Sequence, residues 1–497
     1  MGVLRDALTV GGFTLFSRVV GFIRECITVF CLGAGLCADA LMVALRISNT
    51  FRRIFAEGAF NASFLPRFSK VLNERGKKEA NAVLSDVFSV LLLILIPFSI
   101  IVILFFPSFL KLLLSGFDTL GEKFQLSVVL GRICFPYLIL ISVTSLFCGV
   151  LNTVNKFALP AAVYSLLSVF TSTGMLIGYF LDLSDRVTVQ IVAWFVLLSG
   201  MAQTVCLLLS IRNHGFGVKF RFSCLSEEVK DILKNMIPGI IGAGVWQLNL
   251  LIDTTISSYF PTGTITCVNL ADRLNQFPLG TLGIALGTAL LPVLSQSVAT
   301  KEYDLVRRDL EKGLSFAFFL TLFATSVLAA LNEQSVAVAF QRGMFGSEQV
   351  KISGQAVSGF VVGLPAYVLT KVFSALYFAF GDTKSPVIFG VFSVFLNLLF
   401  LILLVPFLKY FGLAFCMSLS ASANAFMLIY FSGRKISLNF SRVFWIKISA
   451  QATAALATYF SLVRTAGLCW HAELGAKAIK WPIYFGLLGE GVCVFLR

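Results

Sequence analysis

The stretch "FRRIFAEGAF", residues 51–60, lies between "ADALMVALRISNT" and "NASFLP". Two arginines and a glutamate, Arg52, Arg53 and Glu57, thus interrupt a segment that otherwise has the composition of a membrane-buried helix. Each arginine placed in hydrocarbon costs about 2.5–3.5 kcal/mol on insertion scales. Such residues persist only if they are paired or face a wet cavity. The stretch therefore predicts a polytopic membrane protein with charge at its centre.

The rest of the chain supports this. Of its 497 residues, 58% are hydrophobic and 13% charged, and the mean hydropathy is +0.90. Soluble domains carry roughly 25% charged residues, so a large soluble enzyme is excluded on burial grounds. The 51 phenylalanines are spread along the whole chain, which suits lipid-facing helices. The net charge of +14 sits mostly in short connections, where the positive-inside rule accounts for it and no nucleic-acid partner is needed. The cysteines form no C-x-x-C pair and mostly lie in apolar segments, so they read as small buried hydrophobes. With two histidines, His214 and His471, no metal or other cofactor is expected. Arg18 and Arg24 break the first apolar run, and no A-x-A site follows. Asp6 stands where a myristoylation signal has Ser or Thr. Insertion by the chain's own spanning helices is expected.

A window of about 20 apolar residues finds fourteen candidate segments: 6–32, 37–66, 83–115, 124–152, 158–181, 187–211, 229–260, 264–298, 307–332, 350–380, 384–408, 411–433, 443–464 and 475–496. Segments 2, 8 and 10 carry Gly, Pro or charge and are expected to be kinked or broken. With the N-terminus in the cytoplasm, the connections on that side, such as Arg67–Lys78 and Arg212–Lys234, hold roughly twice the cations of the opposite side. Both termini are then cytoplasmic.

A repeat is visible at an offset of 226 residues. Asn49-x-Phe51 and Leu65-Pro66-x-x-Ser69 correspond to Asn275-x-Phe277 and Leu291-Pro292-x-x-Ser295, and Pro160 corresponds to Pro386. The offset spans six segments, so the chain recurs in the same direction through the membrane. This is a parallel repeat about an axis along the membrane normal, a transporter architecture. The division is residues 1–227 as the first lobe, 228–440 as the second and 441–497 as two extra helices. The fold class is all-α, with about fourteen transmembrane helices.

The charged constellation is Arg18 and Arg24 in segment 1, Asp39, Arg46, Asn49, Arg52, Arg53 and Glu57 in segment 2, and Asp272, Arg273 and Gln276 in segment 8. Arg53 and Glu57 are four apart and can pair on one helix face. Arg46 can pair with Asp39, seven residues earlier. Arg24 and Glu25 point about 100° apart on a helix. Arg18, Arg24, Arg52 and Arg273 thus lack an obvious local partner, and guanidinium groups in a cavity select an anion, phosphate or diphosphate above all. No Walker A loop, carboxylate cluster for a catalytic metal, or nucleophile with a base appears, so the protein does not read as an enzyme.

Several stretches, "FSRVVGFIRE", "ADALMVALRISNTFRRIFAEGAFNASFLPRFS", "GVLNTVNKFALP" and "ADRLNQFPLGTLGIALGTALLPVLS", resemble the MurJ (MviN) family of lipid II flippases. The resemblance covers essentially the whole chain. It implies transport of the undecaprenyl-diphosphate-linked peptidoglycan precursor from the cytoplasmic to the outer leaflet of the bacterial inner membrane. It implies Arg18, Arg24, Arg52 and Arg273 as cavity arginines, with Asp39 and Glu57 functionally sensitive. Arg53, Asn49, Asp272 and Gln276 have supporting or gating roles. The family often has Glu where this chain has Gln276, which removes a countercharge near Arg273. The resemblance also implies that helices 13 and 14 form a groove for the polyprenyl tail. The expected partners are lipid II, membrane lipids and the cell-wall synthesis machinery, with the protein a monomer. The rival readings are a cation-coupled multidrug or polysaccharide-lipid exporter of the same superfamily, and a non-transporting cell-wall assembly scaffold. Arginine excess argues against the first, and loss-free Arg→Gln replacement is the mark of the second.

Overall fold

The computed structural model describes residues 2–54, 59–221, 226–433, 436, 439–471 and 480–496. The described residues form helices joined by short connections, with no strand among them, and fall into two compact units, Met1–Ile265 and Thr266–Arg497. The first contains α1 (Gly2–Leu32), α2 (Leu36–Arg52), α3 (Ala59–Leu104), α4 (Phe106–Leu113), α5 (Glu122–Cys134), α6 (Tyr137–Thr153), α7 (Ala158–Ala162), α8 (Ser165–Phe180), α9 (Asp185–Asn213) and α10 (Glu227–Ser257). The second contains α11 (Thr264–Ala299), α12 (Tyr303–Ala330), α13 (Asn332–Phe340), α14 (Ser347–Val362), α15 (Leu364–Ala379), α16 (Lys384–Ser432), α17 (Arg442–His471) and α18 (Lys480–Leu496). Six of the described helical stretches are long and apolar enough to cross a membrane, or seven if the bent pair α14–α15 is one span. All fourteen predicted segments contain helix.

The breaks follow local chemistry. Segment 2 ends α2 at Arg52 and resumes as α3 at Ala59. Within α3 the chain turns at Gly76, whose φ of 81° and ψ of 179° suit a residue without a Cβ. Segment 4 divides at Phe135–Pro136, where proline removes a backbone donor. Segment 10 bends by 40° at Gly363, with Pro365 opening α15. Segment 8, expected to be kinked or broken, is one helix, α11, with Pro278 and Pro292 inside it. Segments 11 and 12 form α16, broken only at Lys409 (φ 47°).

Lipid supplies no hydrophobic drive between helices, so close packing at small residues holds them together. In unit 1, a Cβ on Gly131 of α5 would lie 2.0 Å from the Phe106 ring of α4. One on Gly178 of α8 would meet Thr188 of α9 at 2.4 Å. In unit 2, Gly359 and Gly363 let α14 approach the α16 backbone. A Cβ on Gly359 would be 2.6 Å from the Phe411 carbonyl oxygen, and Ser418 Oγ donates to the Gly359 carbonyl at 2.7 Å. Phenylalanine serves both faces rather than lipid alone. Phe64, Phe68, Phe106, Phe135 and Phe147 are buried, while Phe105, Phe180, Phe395 and Phe407 are exposed. Phe60, Phe64 and Phe68 stack along α3 with centroid spacings of 5.3 and 5.0 Å. Cys31, Cys134, Cys148, Cys267 and Cys416 are buried thiols.

The two last helices are tied to the rest of unit 2. Glu311 of α12 caps the start of α17, accepting from Ser441 N at 2.7 Å and Ser441 Oγ at 2.9 Å. Leu462 of α17 and Leu487 of α18 pack on Val327 and Leu331. In unit 1, α10 packs on α3, pinned by Arg67–Asp231 and Arg75–Glu228 ion pairs, each 2.8 Å. The compact unit therefore continues past residue 227 to Ile265, one helix beyond the repeat boundary.

Candidate functional site

Helix α1 brings Arg18 and Arg24 along one helix, Arg18 exposed and Arg24 half-buried. The Arg24 guanidinium is 15% exposed and ion-paired with the buried Glu25 carboxylate. Their Cβ bonds diverge, yet both side chains are long enough to curl back and meet. The sequence expectation that Arg24 lacks a local partner is thus corrected.

Helix α2 holds the next group. Arg52 Nε donates to Asn49 Oδ1 at 3.1 Å, a bond across one turn. Arg53 is exposed, on a π-helical turn at the end of α2. Glu57, and with it the expected Arg53–Glu57 pair, lies outside the described residues. Arg46, expected opposite Asp39, donates from Nη1 to Thr254 Oγ1 of α10 at 2.7 Å.

Asp39 is instead the buried anchor of one end of unit 1. It has no exposed surface. One carboxylate oxygen, Oδ2, accepts from Lys123 Nζ of α5 at 2.6 Å and from the Gly263 amide at 2.8 Å. Lys123 is 14% exposed and rests over the Phe117 ring, 4.5 Å from its centroid. Gly263 has φ +96°, and a Cβ there would lie 2.4 Å from the Ala34 carbonyl oxygen. The same end is closed by Thr255 Oγ1 donating to the Leu113 carbonyl and Gly116 N donating to Ser258 Oγ at 3.2 Å. The loop after α10 is thereby held against the start of α2 and the α4–α5 connection.

In unit 2, α11 carries Asp272, Arg273 and Gln276. Arg273 and Gln276 are exposed. Gln276 Nε2 donates to Asp272 Oδ2 at 2.5 Å, one turn earlier. A neutral side chain at 276 thus engages the carboxylate beside Arg273. Asn275, the repeat partner of Asn49, is buried.

The structure brings together Asp39 with Lys123, Arg52 with Asn49, Arg24 with Glu25 and Asp272 with Gln276. Sequence reasoning missed Lys123, Gly263 and Thr254. The usable signal was Asp39 itself, a carboxylate in an apolar run that demands a partner.

Residues 29–474 match the family model described as "Lipid II flippase MurJ". The chain belongs to the MurJ family. Among its relatives are the probable lipid II flippase MurJ of Rhizobium meliloti, 35% identical with 86% of this chain and 80% of that protein covered, and the lipid II flippase MurJ of Burkholderia cenocepacia, 32% identical with 92% and 88% covered. The fold is like that of a solved MurJ in an inward closed conformation: TM-score 0.82, 21% identity, 98% of this chain and 97% of that one. It is also like an inward-facing multidrug resistance MATE transporter of the MOP superfamily: TM-score 0.73, 14% identity, 87% and 98% covered. The MurJ family thus shares its helical architecture with multidrug exporters, and substrate must be argued from side chains.

Proposed function

We propose that this chain is a lipid II flippase, moving the undecaprenyl-diphosphate-linked precursor from the cytoplasmic to the outer leaflet by alternating access. The observation that carries the reading is membership of the MurJ family over residues 29–474, joined to the arginines of α1 and α2. Arg18, Arg24, Arg52 and Arg273 hold the diphosphate and headgroup. A guanidinium has five N–H donors in a fork. Asn49 steadies Arg52 by Nε, which orients the two terminal amino groups that grip phosphate bidentately. Glu25 sets the direction of Arg24 and moderates its charge, so that the headgroup is held without being trapped. Asp39, Arg53, Glu57, Asp272 and Gln276 support or gate. An exporter of cationic drugs is disfavoured by this excess of arginine.

The protein acts as a monomer in the inner membrane with both termini cytoplasmic, alongside the cell-wall synthesis machinery, and carries out transport rather than catalysis. Its sequence lobes are 1–227 and 228–440, with residues 441–497 guiding the prenyl tail. The test is leaflet-resolved accessibility of lipid II in cells depleted of the protein. Accumulation on the cytoplasmic side is expected. Unchanged outer-leaflet lipid II after depletion overturns the proposal.

A further inference from the structure

Unit 1 contains a cavity whose lining comes from neither α1 nor α2. It lies between the middle of α3 and the N-terminal half of α10 and has a volume of about 290 Å³. Its walls are hydrocarbon, chiefly Val90, Leu91 and Ile94 of α3 facing Ile232, Leu233 and Ile237 of α10. An apolar cavity of about 150 Å³ stays dry and takes up benzene, so this one has room for a segment of a flexible chain. Ile94 and Ile237 are 50% and 58% exposed, which places its mouth at the unit's outer surface. Beside it on α3, Leu93, Ile96, Ile100 and Ile101 are also exposed. No charged residue occurs between Asp86 and Lys111. A helix face that is exposed and uncharged over that length is turned to lipid.

One end of this slot is basic. Residues 217–221 run extended along α3. Gly217 N donates to Asn81 Oδ1 at 3.2 Å, Lys219 N to Ser85 Oγ at 3.1 Å and Arg221 N to Ser89 Oγ at 2.9 Å. The register is physical: two extended residues advance about 6.6 Å and four helical residues about 6 Å. It sets Arg221 level with Ser89, next to the cavity-lining Val90. Lys219, Lys230 and Lys234 are exposed. Lys230 and Lys234 share their turns of α10 with the lining residues Ile232 and Leu233. Glu228 and Asp231 on those turns are each engaged by an arginine of α3. The Arg221–Asp86 contact is a loose 3.7 Å with Arg221 half exposed, a geometry that contributes little. The rim stays net positive.

We propose that the α3–α10 slot binds an anionic phospholipid of the surrounding bilayer, with one acyl chain in the cavity and the phosphate on Arg221, Lys219 and Lys230. Bound there, the lipid fills the gap between α10 and α3. The inference is independent of the substrate that the chain transports.

The test is native mass spectrometry of the full-length protein with phosphatidylglycerol or phosphatidylcholine of identical chains. Phosphatidylglycerol is expected to be retained preferentially. Arg221→Gln with Lys230→Gln should lower that preference by roughly fivefold per cation. Val90→Trp, which fills the cavity, should lower retention of both lipids. Phosphatidylglycerol bearing a mid-chain diazirine, photolysed on the unmodified protein, should label residues 87–95 and 229–240, and this arm stands even if Val90→Trp fails to fold. Equal retention of the two lipids, or labelling confined to other helices, overturns the proposal.

Discussion

Replacing Lys123 with Met tests the Asp39 anchor most directly. Asp39 has no exposed surface, and Lys123 reaches it at 2.6 Å. Methionine keeps an unbranched stem, and its sulfur can rest on the Phe117 ring that now carries the ammonium. What is lost is charge. Removing one partner of a buried ion pair costs about 3–5 kcal/mol, because the other charge is left buried. Here the Gly263 amide still donates to the same carboxylate, and Lys123 is 14% exposed. The low end, about 3 kcal/mol, is therefore expected. Asp39→Asn removes the stranded charge, so Lys123→Met made on top of it should cost only about 1 kcal/mol, a coupling of about 2 kcal/mol in the cycle. The assay is unfolding in detergent micelles followed by intrinsic fluorescence, for the parent, both single variants and the double variant. If Lys123→Met unfolds within about 0.5 kcal/mol of the parent, or the cycle closes additively to that margin, the ion pair is not what holds this end of the unit.

Three further outcomes are expected. Gly359→Val should destabilise unit 2 by at least about 2 kcal/mol, since even a Cβ meets the Phe411 carbonyl oxygen at 2.6 Å; a melting curve overlying that of the parent speaks against the close α14–α16 approach. Arg52→Glu should abolish lipid II flipping in cells at normal protein level, whereas normal peptidoglycan synthesis in that strain removes Arg52 from the diphosphate site. Single cysteines at Arg75 and Arg308, in a cysteine-reduced background, should resist an impermeant thiol reagent in intact cells, and labelling at position 75 from outside reverses the orientation.

Much of the helical order was legible because membrane burial imposes a simple rule: about 20 apolar residues for each crossing. The breaks at Gly363 and Phe135–Pro136 follow from Gly and Pro, whereas at segment 8 the prolines lie inside one helix. There α11 runs through Pro278 and Pro292, because the kink a proline introduces need not end a helix in a packed membrane protein. The candidate site was legible only as residue types. Helical periodicity relates residues three, four or seven apart, so it suggested Arg46 for Asp39. Lys123 and the Gly263 amide, which hold Asp39, lie on another helix and in a loop, and their distance along the chain carries no periodic signal. Arg24–Glu25 escaped for the opposite reason: the rule about backbone direction ignores how far two long side chains can bend. The packing of α10 against α3 in the first compact unit left no periodic mark in the sequence either.

The Asp39 anchor has a consequence for biosynthesis. Two of its partners are made later than it is: Lys123 follows by 84 residues and Gly263 by 224. At about 5–20 residues per second of synthesis, Asp39 waits roughly 4–17 s for its cation and roughly 11–45 s for its amide. The order is favourable. The charge that most needs company is neutralised first, by packing α5 on α2, which needs nothing from the second half of the chain. The backbone donor then arrives with the loop that follows α10. A nascent chain stalled between those two events already holds its carboxylate in a pair. One stalled before Lys123 carries an acidic group without that cation in an apolar helix, the kind of feature by which an unfinished membrane protein is distinguished from a finished one.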